Sequence, residues 1–357
     1  MKTLYSLILA ASLSTSLFAQ KDGPGNNWTE VNLAVTDHQV IPSYQAFALA
    51  AGQLEIVAGE FCNSPDTAGL ESFRQAFHGA MDGWQQIQHV QFGPITYFNW
   101  NFRLHYWPDE KGTGGRQLES LVTSGNAELL EPDNFARESV GVQGFPALER
   151  LLFTEGSIGA LQEDPFRCQV AHAIARNISD IAEGVHQRWV DEFRATIANA
   201  DERGFFESAE DAAIDFMKAQ VEPIRRIQQQ KIEEVIGENA QRARVRRAES
   251  WRAERSLRNV ELNILALESF FNGDDQTSKS LSSLLEASDV STINGIFSEL
   301  EQSFMALPDS LEEALASDGG HARLLALAAH LDALFEAFEA GLKNTDLYLG
   351  FNSLDGD

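Results

Sequence analysis

Apolar residues recur every three or four positions along most of this chain, the spacing that lines one face of a helix, while alternating runs of strand type are scarce. The clearest stretch covers 166–200, where Val170, Ile174, Ile178, Ile181, Val185, Trp189, Phe193 and Ile197 form one stripe. A helix of that length is about 50 Å long, enough for the spine of a bundle. The same spacing predicts helices over 43–61, 70–92, 208–236, 242–271, 293–306 and 321–342, the last with Leu324, Leu327, Leu331, Leu334 and Phe338 on one face. Breakers fall between them at Ser64-Pro65-Asp66, in the Gly-rich loop 108–115, and at Gly273-Asp274-Asp275, Pro308-Asp309 and Asp318-Gly319-Gly320. The fold class is therefore all-α. The best boundary is near 201–204, giving an N-terminal bundle over 20–203 and a C-terminal bundle over 204–357. Two such halves packed together leave a cleft between them, a common ligand site.

Residues 1–19 read as a cleavable signal peptide, with Lys2 at the start, an apolar stretch from Leu4 to Leu17, and Phe18-Ala19 ahead of Gln20. The mature chain is expected to be exported. No later segment approaches 18 uninterrupted apolar residues, so no membrane-spanning segment is expected in it. An exported chain with two cysteines, Cys62 and Cys168, most simply pairs them in a disulfide, the alternative being two buried thiols.

Charge narrows the partners. The 357 residues carry 27 Lys+Arg against 53 Asp+Glu, a formal net charge of −26, and such a surface repels phosphate backbones and anionic headgroups. Nucleic acid is excluded as a partner on this basis, and cations, basic peptides and other proteins are favoured.

Common catalytic motifs are missing. The sequence has no GxSxG, no HExxH, no dinucleotide fingerprint, no phosphate loop and no EF-hand loop, and Lys111 to Arg116 reads as a surface loop. The first positive site is Gly144-Phe145-Pro146-Ala147-Leu148-Glu149-Arg150-Leu151-Leu152-Phe153. Pro146 suits the first turn of a helix, and Glu149 then falls inside the arc of Phe145, Leu148, Leu152 and Phe153. A carboxylate in an apolar arc must find a cation, a hydrogen-bond donor or a metal. Either Glu149 is stabilised by the helix N-terminus or it belongs to a functional site.

This run resembles the GxHxxE signature of imelysin-like proteins, in the exported branch whose motif reads GFPALE. The resemblance extends over 84–95, Tyr106-Trp107-Pro108-Asp109, Gly114-Gly115-Arg116-Gln117-Leu118, 251–259 and the ending 349–357. It implies two helical-bundle halves of the imelysin type around a central cleft that holds the motif. It also implies a periplasmic or outer-membrane location and links to iron-regulated uptake, with some members classed as metallopeptidases. The sequence departs from the pattern where Pro146 replaces the motif histidine, so the carry-over reaches Glu149 without its paired imidazole. Iron or zinc at Glu149 then needs a substitute ligand.

His78, Asp82, Gln85 and His89 form a polar seam beside Phe73, Phe77, Met81 and Trp84, and His89 is the expected partner of Glu149 if the helices meet. His78 with Asp82 makes half a metal site at i, i+4 spacing. Nine arginines crowd 225–258, and Arg252, Arg255 and Arg258 share three-residue spacing. The expected ligand set is His89, Arg116, Glu149, Arg252 and Arg258, taking a metal ion or a small anion, with Arg103 as a further donor. No catalytic residue is assigned. The leading reading is a non-catalytic binding or accessory component of iron acquisition that works with iron-uptake membrane proteins. Its alternatives are a metal-dependent peptidase of the imelysin type using Glu149, and a protein-binding structural module.

Overall fold

The computed structural model describes residues 27–201, 204–273, 279–345 and 347–350. The signal segment 1–19, part of the 201–204 boundary and most of the 349–357 ending lie outside the described residues. Every regular element among the described residues is a helix.

The first half is built on α1 (Ile41–Asn63), α2 (Thr67–Ile87), α3 (Phe145–Phe153) and α4 (Pro165–Arg188). Local chemistry sets their starts. Asp66 accepts a hydrogen bond from Gly69 N–H at the head of α2, and Asp164 caps Phe166 and Arg167 at 3.0 and 3.1 Å at the head of α4. The predicted spine continues past α4 through a wide turn at Trp189–Phe193 into Arg194–Ala198. α1 packs between α2 and α4, and the Cys62–Cys168 disulfide ties the end of α1 to the start of α4. It joins positions 106 apart in the sequence.

The second half holds α5 (Ala209–Arg226), α6 (Ser256–Asn272), α7 (Ala287–Met305) and α8 (Gly320–Leu342). α8 lies against α7 and α5. The halves meet where α6 packs on α2 and where the short helix Trp28–Val35 packs on α5, with Asn32 donating to Ala209 O at 2.7 Å. One apolar core runs through both halves, around Trp84, Trp189, Tyr44 and Phe145 in the first and Phe216, Phe271 and Phe338 in the second.

Two expectations fail. α2 ends at Ile87 rather than 92, so His89 sits beyond the helix rather than on its polar seam. The helix expected over 242–271 begins only at Ser256. Before it the chain makes three short 3-10 turns, Ala240–Arg242, Val245–Arg247 and Trp251–Ala253. Ser250 and Glu254 bracket the last turn at φ 51° and 56°, a left-handed backbone that interrupts any helix. Arginine has good helix propensity, but this segment has few apolar residues to bury on one face, and tertiary contacts decide its path.

Candidate functional site

The motif helix α3 begins at Gly144, whose Cα lies so close to the main-chain oxygens of Arg103 and Leu104 that a side chain would collide with them. Pro146 occupies the first turn, where no N–H is needed. Glu149 is then directed inward and is only 4% exposed. Its Oε1 accepts hydrogen bonds from the backbone N–H groups of Arg252 at 2.8 Å and Ala253 at 3.1 Å. Its Oε2 stands 4.0 Å from the Arg252 guanidinium. Burial raises the Glu149 pKa, against the opposing pull of the Ala253 and Arg252 N–H groups and the Arg252 charge.

Glu149 therefore clips the turn bracketed by the two left-handed residues. Such conformations cost on the order of 1–3 kcal/mol each and persist when surrounding contacts over-determine them. The clip also orders guanidinium groups. The Arg252 guanidinium carbon lies 4.3 Å from the centroid of the Trp251 ring and that of Arg246 lies 5.6 Å away. A small cavity of about 120 Å³ opens here, lined by His105, Pro146, Glu149, Arg150, Arg246 and Arg252 among others.

Beneath this turn lies a buried polar network that the sequence reading missed. Lys231 Nζ donates to Glu249 Oε2 at 2.8 Å, Asn263 Oδ1 at 2.7 Å and Gln85 Oε1 at 3.2 Å, using all three of its protons. Asn259 Nδ2 donates to Glu249 Oε2 at 2.9 Å, and Asn263 Nδ2 donates to Gln85 O at 2.8 Å. Trp84 Nε1 donates to His105 Nδ1 at 2.9 Å, so the neutral imidazole carries its proton on Nε2, which faces Glu249 Oε1 at 3.3 Å. Burial alone would raise the Glu249 pKa, but Lys231, His105 and Asn259 together bring it down to about 2. Burial lowers the Lys231 pKa against the attraction of Glu249.

Lys231 belongs to a wide turn at Ile227–Glu233 that continues α5, a helix form often found at functional sites. One signal could have found it. Lys231 lies on the stripe of Ile224, Ile227, Ile232 and Val235, a charged residue on an apolar face like Glu149.

Of the expected ligand set, the fold brings together Glu149 and Arg252. His89 lies elsewhere, its ring edge-on to Phe270 with centroids 4.6 Å apart and with no hydrogen-bond partner on either nitrogen. It shares no hydrogen bond or ion pair with Glu149. Arg116 is a surface residue that donates to Lys111 O at 2.8 Å. Arg103 holds Gln143 and Asn177, each at 2.6 Å. Arg258 and Arg255 both grip Asp82, and Arg255 donates to His78 Nδ1 at 3.0 Å, so His78 and Asp82 hold a guanidinium where half a metal site was expected.

The donors around Glu149 suit a divalent cation poorly. Asp109 accepts from Thr113 and Gly114 N–H at 2.8 and 3.0 Å, His105 is committed to Trp84 and Glu249, and Arg150, Arg246 and Arg252 face the same space. Among the described residues no group of three His, Cys, Asp or Glu side chains could hold a metal ion. No helix among them is long and apolar enough to cross a membrane.

Known proteins share this fold. An imelysin-like protein from Psychrobacter arcticum 273-4 superposes with a TM-score of 0.72 at 18% identity, over 91% of this chain and 97% of its own. A protein described as an iron-regulated protein A precursor, from Parabacteroides distasonis, gives a TM-score of 0.74 at 14% identity, over 90% and 97%. In sequence, the chain is 24% identical over 317 residues to Iron-regulated protein A of Synechococcus elongatus, covering 85% of this chain and 82% of that protein. The imelysin family model, Peptidase_M75, matches residues 40–338, a span that contains α3, the clipped turn and the buried network. The chain belongs to the imelysin family.

Proposed function

We propose that this protein is an exported, periplasmic imelysin-like component of iron acquisition that acts by binding rather than by catalysis, working beside iron-uptake membrane proteins. The relatives named as iron-regulated support the process, and one of them is named as a precursor, in keeping with export. The reading of residues 1–19 as a signal peptide supports the compartment. The observation that carries the non-catalytic reading is the surroundings of Glu149. Its Oε1 is taken by two backbone N–H groups and its Oε2 faces a guanidinium, with Pro146 where the motif has an imidazole. A carboxylate so engaged is a positioning residue for the 251–253 turn, and a hydrolytic metal needs several ligands and an open water position.

Glu149→Gln keeps an oxygen for both N–H groups, whereas Glu149→Ala leaves them buried without a partner. Urea unfolding is expected to show Glu149→Gln within about 1 kcal/mol of wild type and Glu149→Ala about 2–4 kcal/mol less stable. On untagged mature protein, titration with iron and zinc is expected to give the same result for wild type and Glu149→Gln, with no peptide hydrolysis by either. Stoichiometric metal in wild type that Glu149→Gln abolishes would overturn the reading in favour of a metal centre. A deletion strain is expected to grow like its parent in iron-rich medium and more slowly under chelation, with the native protein in the periplasmic fraction. Equal growth under chelation, or recovery with the cytoplasm, would remove the role in iron acquisition.

A further inference from the structure

A separate cavity lies beside the Glu149 site and takes no part in it. It measures about 590 Å³, within the range of about 300–1,000 Å³ usual for small-molecule sites. Phe92, Phe102, Tyr106 and Trp107 supply aromatic wall from the first half, and α5, the wide turn and α6 close it from the second. Tyr106, Trp107, Pro108 and Gln230 also line the Glu149 cavity, so this short wall separates the two spaces.

Charges along α5 face the cavity in the order Asp215, Lys218, Glu222, Arg226. Burial raises the pKa of both Asp215 and Glu222, against the opposing pull of Lys218 between them. Arg226 is different. It closes no ion pair among the described residues, and its one hydrogen bond is a long one of 3.5 Å to Trp107 O. Its charge disfavours the protonated forms of Lys231 and His105. Since Lys231 spends its protons on Glu249, Asn263 and Gln85, the half-buried Arg226 fork is left at the aromatic end without an anion.

A second observation concerns the same cavity. His89 lines it, is only 7% exposed, and has no hydrogen-bond partner on Nδ1 or Nε2. Its ring packs on Phe270 and also borders a second, smaller cavity, and neither nitrogen has surface open to a ligand, so His89 contributes wall rather than a hydrogen bond.

We propose that this cavity binds an amphipathic organic carboxylate, its carboxylate held by Arg226 and its planar apolar body laid against Tyr106, Trp107 and Phe92. The forked guanidinium matches a carboxylate, and the aromatic wall gives the body a dry surface. The proposal does not depend on Glu149 and stands or falls separately from the iron reading.

The test uses 2-naphthoate and its uncharged isostere 2-naphthamide, titrated into the full mature protein and followed by quenching of tryptophan fluorescence and by thermal shift. The expected result is saturable one-to-one binding of naphthoate, about tenfold tighter than naphthamide, with Arg226→Gln losing that preference and Arg226→Lys keeping part of it. Arg116→Gln, a surface change away from the cavity, is expected to leave both affinities unchanged, and Glu149→Gln is expected to do the same. Equal binding of the two probes, a preference that survives Arg226→Gln, or no binding of either probe overturns the proposal. If Arg226→Gln proves unstable, Trp107→Leu gives an independent reading, with weaker binding of both probes expected and unchanged binding overturning it.

Discussion

Lys231→Met is expected to destabilise the protein by about 3–5 kcal/mol, the usual cost of removing one partner from a buried ion pair. Glu249 is 2% exposed and its Oε2 would keep only the Asn259 amide, so its charge would be stranded. Lys231→Met/Glu249→Gln removes both charges at similar volume and is expected to recover more than half of that loss. The pH dependence makes the account specific. In wild type Lys231, with His105 and Asn259, holds the Glu249 pKa down to about 2, whereas without Lys231 the largest of these pulls is gone and burial is expected to push it above its ordinary 4.5. The variant's folded state then takes up a proton more readily than its unfolded state, so the gap to wild type narrows from pH 7 to pH 5. Urea unfolding at both pH values measures this, and a Lys231→Met variant within 1 kcal/mol of wild type at pH 7 would sink the account.

The contrast between Lys231 and Glu149 shows what the sequence could tell. Helical periodicity made α1, α4, α5 and α8 legible, because a repeated apolar stripe reports burial wherever the partner surface lies. Glu149 was legible as a buried charge by the same rule, and Lys231 carried the same signal on its own stripe. The partners of Lys231 were not legible, and Arg252 entered the expected set with Glu149 through the family-like stretch 251–259 rather than through spacing. Glu149 meets Arg252 and Ala253 across 103 and 104 residues, and Lys231 meets Gln85 across 146. Spacing along one helix cannot encode such meetings. The arginine-rich segment was misread because it lacks glycine and proline, and its left-handed residues are held by contacts that close only in the fold: Glu149 to the Arg252 and Ala253 N–H groups, and Asn259 Nδ2 to Ser250 Oγ at 3.2 Å. His89 could reach Glu149 only if the fold brought the two helices together at that point; α2 ends at Ile87 and the His89 ring lies against Phe270.

Stability is expected to fall by several kcal/mol between pH 6.5 and pH 5, before the bulk of the carboxylates titrate. Burial lowers the pKa of His89 to about 3 and that of His105 to about 4, the latter despite the pull of Glu249. Burial, reinforced by Arg255, lowers His78 to about 4 as well. Below pH 6.5 the unfolded chain takes up protons that these native imidazoles refuse, so the unfolded state binds more protons and stability drops with pH. His89 and His105 each account for about 2 kcal/mol by pH 5, at 1.36 kcal/mol per pH unit below 6.5. The stability they represent is complete above 6.5 and is lost progressively toward their folded pKa values. Glu249, held near 2, adds its own loss only below about 4.5, in a separate window. His89→Leu separates the histidine account from general acid unfolding. Both imidazole nitrogens lack a protein partner and the ring packs on Phe270, so leucine is expected to cost little at pH 7 and to flatten the curve by His89's share. A melting temperature that holds steady from pH 6.5 to 5, or a His89→Leu curve as steep as wild type, would show that the unfolded chain gains no such proton advantage. The steeper wild-type curve would instead confirm that burying a neutral imidazole beside the large cavity costs the protein its acid tolerance.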